Sequence, residues 1–108
     1  MNVMMKIDKT QVEAELRKFV GEPAYVHSEA TSYVFVRNFK VLPTEVHIAG
    51  EGDGPYRAAL RFDGQGWLRM EALTHYEVDE AGRLLLAGFD DRGRMDVALH
   101  LGKEPFPE

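Results

Sequence analysis

The chain contains no cysteine. That excludes disulfides, thiolate metal sites and thiol nucleophiles together, and it suits a reducing compartment, so the chain reads as cytoplasmic. No apolar run approaches the roughly 20 residues that a membrane-spanning helix needs. The opening residues MNVMMKIDKT carry no apolar core and no small-residue cleavage site, so they do not read as a signal peptide. Positive charge is in deficit: 13 Lys and Arg against 18 Asp and Glu leave a formal net charge of -5. An acidic surface repels phosphate, which makes nucleic acid a poor partner. Tryptophan is nearly absent too, with Trp67 the single copy, and no repeat or low-complexity segment is visible.

What is present is the balance of an ordinary globular domain. With 108 residues there is room for a single core, so the chain reads as one domain, 1–108. Residues 8–20, DKTQVEAELRKFV, carry Val12, Leu16, Phe19 and Val20 at helical spacing, one apolar stripe. Asp8 with Gln11, or Thr10 with Glu13, can cap the start, and Gly21 and Pro23 end the helix. So short a helix is marginal alone, and its stripe must lie on a sheet.

The remainder alternates with a period of two. Strands are expected over 25–31 and 33–37, with a turn or bulge at Asn38, and over 39–49, where Pro43 demands an edge or a bulge. Gly50 to Pro55 is a loop by composition. In Tyr56 to Phe62 the residues Tyr56, Ala58, Leu60 and Phe62 share a face. Asp63 to Gly66 and Asp79 to Gly82 read as hairpin loops around one long strand, or two with a kink, from Trp67 to Val78. Its alternation puts Arg69, Glu71 and Leu73 on one side with Trp67. Leu84 to Phe89 and Met95 to Leu101 complete about seven strands, and Phe106 is placed to tuck against the body. The expected fold is mainly β: an antiparallel meander forming a small, partly open barrel, with one N-terminal α-helix packed on it.

Catalytic signatures are missing. Gly50 to Tyr56 is glycine-rich but has no Lys-Ser/Thr pair and no helix after it, so it is no phosphate loop. The acidic turns at Asp79-Glu80 and Asp90-Asp91 supply too few oxygens in the order a calcium loop needs. Ser28 and Ser32 have no nucleophile-elbow motif around them. The four histidines, His27, His47, His75 and His100, lack metal-pair spacing, and half-buried or surface imidazoles are the expected reading; no metal or cofactor is expected. Arg57, Arg61 and Arg69 cluster near Tyr56 and Trp67, a basic-aromatic surface of the kind that stacks single-stranded bases. A solvated face balanced by Glu71 and Glu77 is preferred, because the whole chain is acidic.

Several blocks taken jointly are specific: Gly52-Asp53-Gly54-Pro55-Tyr56-Arg57, Gly66-Trp67, Leu73-Thr74-His75-Tyr76-Glu77-Val78-Asp79, Arg83-Leu84-Leu85-Leu86-Ala87-Gly88 and Pro105-Phe106, with Tyr25-Val26-His27 and Val36-Arg37-Asn38 earlier. On these the chain resembles the YojF-type family of small bacterial proteins, a domain of unknown function. It departs from the family's pattern in a shorter connection around Ala30 to Ser32, and at Ala72, where family members tend to have Gly. The resemblance implies a compact, mainly β protein without an assigned activity. It also implies, by gene association, a deacetylase of the bacillithiol-forming type as a protein partner.

Three function classes follow. The first is a non-enzymatic binding or accessory module, with homodimerisation as one answer to exposed sheet edges. The second is a small-molecule or enzymatic pocket in the barrel mouth, lined by Tyr56, Arg57, Trp67, Glu71 and Tyr76 with Arg37 and His27 behind; Glu71 or His27 would be the acid or base. The third is a single-stranded nucleic-acid binder.

Overall fold

A computed structural model describes residues 4–107. The elements run β1 (Met5–Lys6), α1 (Lys9–Arg17), β2 (Ala24–Ala30), β3 (Val34–Val41), β4 (Pro43–Ala49), β5 (Tyr56–Phe62), β6 (Gly66–Leu73), β7 (His75–Val78), β8 (Leu84–Phe89) and β9 (Met95–Gly102). The helix starts where the Asp8 carboxylate accepts the Gln11 N–H at 3.2 Å. It ends at Lys18, and Gly21, at φ +85°, turns the chain so that its N–H reaches the Pro43 carbonyl at 2.9 Å. Val12, Leu16 and Phe19 are buried as their spacing predicts. Val20 is exposed: the helix has ended at Lys18, and of the two apolar residues that follow it only Phe19 turns inward.

The strands form two antiparallel sheets, of order β1-β7-β8-β9-β2-β3 and β4-β5-β6. The mainly β reading with one N-terminal helix holds, but among the described residues no ladder joins the two sheets, so they do not close into a barrel. Neighbours in sequence pair in β2–β3, β4–β5–β6 and β7–β8–β9, as a meander would. Two long-range pairings, β9 on β2 and β1 on β7, gather these hairpins into the larger sheet. Both sheets and the helix cover one interior: Leu16, Phe19, Leu60, Leu86 and Leu99 are buried in it, with Leu68 and Val97 packed at its margin.

The chain passes between sheets at two corners. At the first, β3 ends at Val41 and β4 begins at Pro43, whose missing N–H suits the first residue of an edge strand. The second corner is Ala72, at φ +63°. Tyr56 pairs with Leu73 but Ala58 pairs with Met70, so β6 carries one extra residue there. That bulge inverts the alternation. Leu73, expected outward beside Arg69 and Glu71, is fully buried, and Ala72 is exposed. A left-handed backbone costs an L-residue about 1–2 kcal/mol, which explains why Gly would be preferred at this position. Ala72→Gly is expected to raise stability by about 1 kcal/mol in urea titration, part of the relief being lost to the freer unfolded chain.

Two turns repeat one device. Asp79 accepts the N–H groups of Ala81 and Arg83 and holds the Arg83 guanidinium at 2.7 Å. Asp90 does the same with Arg92 and Arg94, with the guanidinium at 3.1 Å. The Arg94 N–H bond is the foremost reason that the Asp90 carboxyl lies below the usual range. Both acidic turns are therefore committed to turn geometry.

Candidate functional site

Strand alternation distributes the seven residues expected to line a barrel mouth over three places. Tyr56 and Tyr76 lie in the core, and the Tyr56 hydroxyl donates to the Gly52 carbonyl at 2.7 Å. Arg57 and Glu71 meet on the outer face of β5 and β6, at 3.6 Å. Trp67 is on the same sheet, 57% exposed, with the His47 ring stacked on it at 5.9 Å and the Arg61 guanidinium at 5.9 Å. Arg37 and His27 lie on the larger sheet. With two open sheets in place of a closed barrel, these side chains do not converge on one concave surface.

The Arg57, Arg61 and Arg69 surface is partly balanced by carboxylates. Glu71 faces Arg57 at 3.6 Å and Arg69 at 3.1 Å, and Glu45 faces Arg61 at 3.7 Å. Such exposed pairs stabilise little, but with two carboxylates against three guanidinium groups they leave this face only one positive charge in surplus for phosphates.

His27 belongs to a polar cluster on the outer face of β2, β3 and β9. It is 4% exposed. Arg37 Nη1 stands 3.1 Å from its Nδ1. A guanidinium can only donate, so Nδ1 accepts and the ring proton sits on Nε2, facing the Glu29 carboxylate at 3.4 Å. Asn38, at φ +58°, sits in the expected bulge between β2 and β3. Its amide brackets Phe106: Oδ1 accepts the Phe106 N–H at 2.6 Å and Nδ2 donates to the Phe106 carbonyl at 3.0 Å. Arg37 donates through Nε and Nη2 to the Pro107 carbonyl. The C-terminal segment is thereby strapped over the cluster. Phe106 is buried, with the Arg37 and Arg83 guanidinium carbons 5.7 and 5.4 Å from its ring centre.

Beneath Phe106, His100 lies 5.1 Å from His27, ring to ring. Burial, then the nearby His27, Arg37 and Arg83, push its pKa down to about 4, against a smaller opposing pull from Asp79. Sequence reading placed His27 and Arg37 together but missed His100 and Asn38 as their companions. The signal was half present: Tyr25, His27 and Glu29 share a face by period two, whereas the β2–β9 pairing that brings His100 in leaves no local trace. His27, Arg37 and Asn38 direct their hydrogen bonds and ion pairs to one another, to Glu29 and to the strap, which makes them a structural knot.

The open surface lies elsewhere, at the seam where β3 of one sheet and β6 of the other leave the interior uncovered. A groove of about 280 Å³ runs there between Val34, Val36, Phe39, Phe62, Trp67 and Leu68, with Ser28 and Gln65 as its polar members. Val34, Val36 and Phe39 are exposed apolar side chains, Phe39 at 50%. A second, wider hollow of about 640 Å³ lies between Lys6, Asp53, Thr74, His75, Phe89 and Asp90. There the Thr74 hydroxyl is 2.7 Å from His75 Nδ1 and accepts the Phe89 N–H at 3.1 Å, ties that hold β7 and β8 together. Among the described residues no three His, Asp or Glu side chains are grouped to hold a metal ion, and no helix is long and apolar enough to cross a membrane.

Residues 6–106 match the family described as "Protein of unknown function (DUF1806)". The chain is 36% identical to "Uncharacterized protein YojF" of Bacillus subtilis (strain 168) over 117 residues, covering 95% of this chain and 98% of that protein. The crystal structure of Bacillus subtilis YojF superposes with a TM-score of 0.88 at 37% identity, over 99% of this chain and 100% of that one.

Proposed function

The chain belongs to the DUF1806 family, and we propose that it is a non-enzymatic accessory module that docks a protein partner through the apolar seam between β3 and β6. The observation that carries this reading is the gathering of Val34, Val36, Phe39 and Trp67, all exposed, around one groove. Contiguous apolar surface of this kind marks interaction sites on soluble proteins. The polar cluster supports the same reading from the other side. His27, Arg37 and Asn38 are bonded to Glu29 and to the strap, so the candidate acid or base is engaged in holding the fold.

The partner implied by the family resemblance is a deacetylase of the bacillithiol-forming type, and it is the one to test. Mixing the two proteins is expected to produce a joint sedimenting species, to shift the emission of Trp67, and to change the deacetylase rate. Trp67→Ser, at an exposed site, is expected to keep the fold and weaken the complex about 30-fold, the effect of losing an interface anchor of about 2 kcal/mol. Separate sedimentation together with an unchanged deacetylase rate would refute the proposal.

A further inference from the structure

The free edge of the larger sheet makes a second surface, which shares Val34 and Val36 with the seam groove. We propose that β3 pairs antiparallel with β3 of a second copy of this chain, around a two-fold axis at Phe35, joining two six-stranded sheets into one.

Unpaired strand edges recruit other strands unless they are guarded, and the other edges here are guarded. β1 is two residues long. β4 opens with Pro43, carries Glu45 and His47, and lies beside α1. β6 carries Arg69 and Glu71 and is bent by the Ala72 bulge. The start of β3 has none of these devices. Tyr33, Val34, Phe35 and Val36 form an apolar stretch with no charge and no proline, exposed on both faces; Tyr33 is 88% and Phe35 64% exposed. The guard on this strand, the Arg37–Asn38 bulge under the C-terminal strap, begins only after it.

The sequence of this edge also selects the partner. In an antiparallel ladder, paired residues point to the same face, so a strand that pairs with its own copy must centre on a residue. Val34-Phe35-Val36 is a palindrome about Phe35. With the axis there, Phe35 faces the second copy's Phe35 on the outer side, and Val34 faces the second copy's Val36 on the seam side. Like meets like at these central pairs, the self-complementarity that a two-fold interface requires, and the next pair outward sets Tyr33 against the second copy's Arg37. The rings of Tyr33 and Phe35 expose roughly 300 Å² between them at about 200 Å² per ring. That is more than a third of the roughly 800 Å² each partner contributes to a standard interface, before the edge backbone and the valines are added. Edge pairing sets the seam-side Val34 and Val36 beside those of the second copy, so that the seam groove runs alongside its counterpart.

The lack of cysteine makes a direct test available. Phe35→Cys introduces a single thiol, and across an axial strand pair the two Cβ atoms would lie about 4.5–5.5 Å apart, close to disulfide reach. Under mild oxidation Phe35→Cys is expected to run as a covalent dimer on a non-reducing gel. Glu80→Cys, in the exposed β7–β8 turn, is expected to remain a monomer. Sedimentation of the unaltered protein should give twice its 12.2 kDa. Phe35→Glu, which sets two carboxylates against each other at the axis, should return the monomer mass with the circular dichroism unchanged. A monomer mass for the unaltered protein up to submillimolar concentration would overturn the pairing. So would cross-linking of Phe35→Cys no faster than Glu80→Cys. Because the seam is not part of the axis, Trp67→Ser should leave the dimer intact whether or not the accessory reading stands.

Discussion

Gly88→Ala is expected to destabilise the protein by about 3 kcal/mol, the upper end of overpacking costs, and to lower the melting temperature by roughly 15 °C. Gly88 lies on the core-facing side of β8, in line with Leu84 and Leu86, at the place where β6 crosses over. A methyl group added there would overlap the Ala72 carbonyl oxygen, stand 2.7 Å from Val97 Cγ2 and 3.0 Å from the Ala72 carbonyl carbon. A flexible side chain could move away, but the Ala72 carbonyl is backbone at the corner that carries the chain from one sheet to the other. Moving it would disturb Leu73 and the Thr74 N–H, which donates to the Ala87 carbonyl at 2.9 Å. Urea titration and thermal melting give the measurement. A loss below 1 kcal/mol would mean that the corner yields and that the sheets are less firmly joined there. The paired variant Gly88→Ala with Ala72→Gly should recover only the gain of the second change, since the carbonyl remains.

Much of the strand content was legible because burial follows simple periods. Tyr56, Ala58, Leu60 and Phe62 went inward together as alternation requires, and Val12, Leu16 and Phe19 as a helical stripe. The reading failed where the period breaks. One left-handed residue, Ala72, reversed the faces of everything after it on β6, and Leu73 moved from surface to core. Alanine gives no warning of that conformation; the Gly of the resembling family was the clue, and its meaning is conformational. Asn38, a residue type that tolerates the left-handed region, did give warning, and its bulge appeared where expected. The candidate site was legible only in pieces. Arg37 and His27 meet across adjacent strands, but the companions that complete their cluster come from β9 and the C-terminal strap, roughly 60 to 80 residues away. The seam groove was invisible beforehand, because its walls are edge strands of two sheets whose division no local pattern reveals.

The sharpest consequence of the polar cluster is a dependence of stability on acid. His100 has a folded pKa of about 4 against an ordinary value of 6.5, because burial and the nearby His27, Arg37 and Arg83 resist a further positive charge, with Asp79 opposing only in part. The unfolded chain therefore takes up a proton near pH 6.5 that the folded chain refuses until about pH 4. Stability from this group is fully present above pH 6.5 and falls as pH drops toward 4, after which the loss levels off. The depth of that loss is about 3 kcal/mol, at 1.36 kcal/mol for each pH unit between the two values. Asp90, held low by its turn, weakens the fold in a separate and more acidic window, below its ordinary value of 3.8. Replacing the imidazole isolates the term: in His100→Leu the decline between pH 6.5 and 4 should be shallower than in the unaltered protein by most of that amount, as read from urea midpoints at half-unit steps. Phe106→Ala approaches the same ring from above. Removing the strap's aromatic cover admits water to His100, so the folded pKa should climb back toward 6.5 and the acid sensitivity should shrink, even though the protein is less stable at neutral pH. Parallel curves for all three proteins would mean that His100 is not the group that titrates, and that the ring beneath Phe106 is already hydrated.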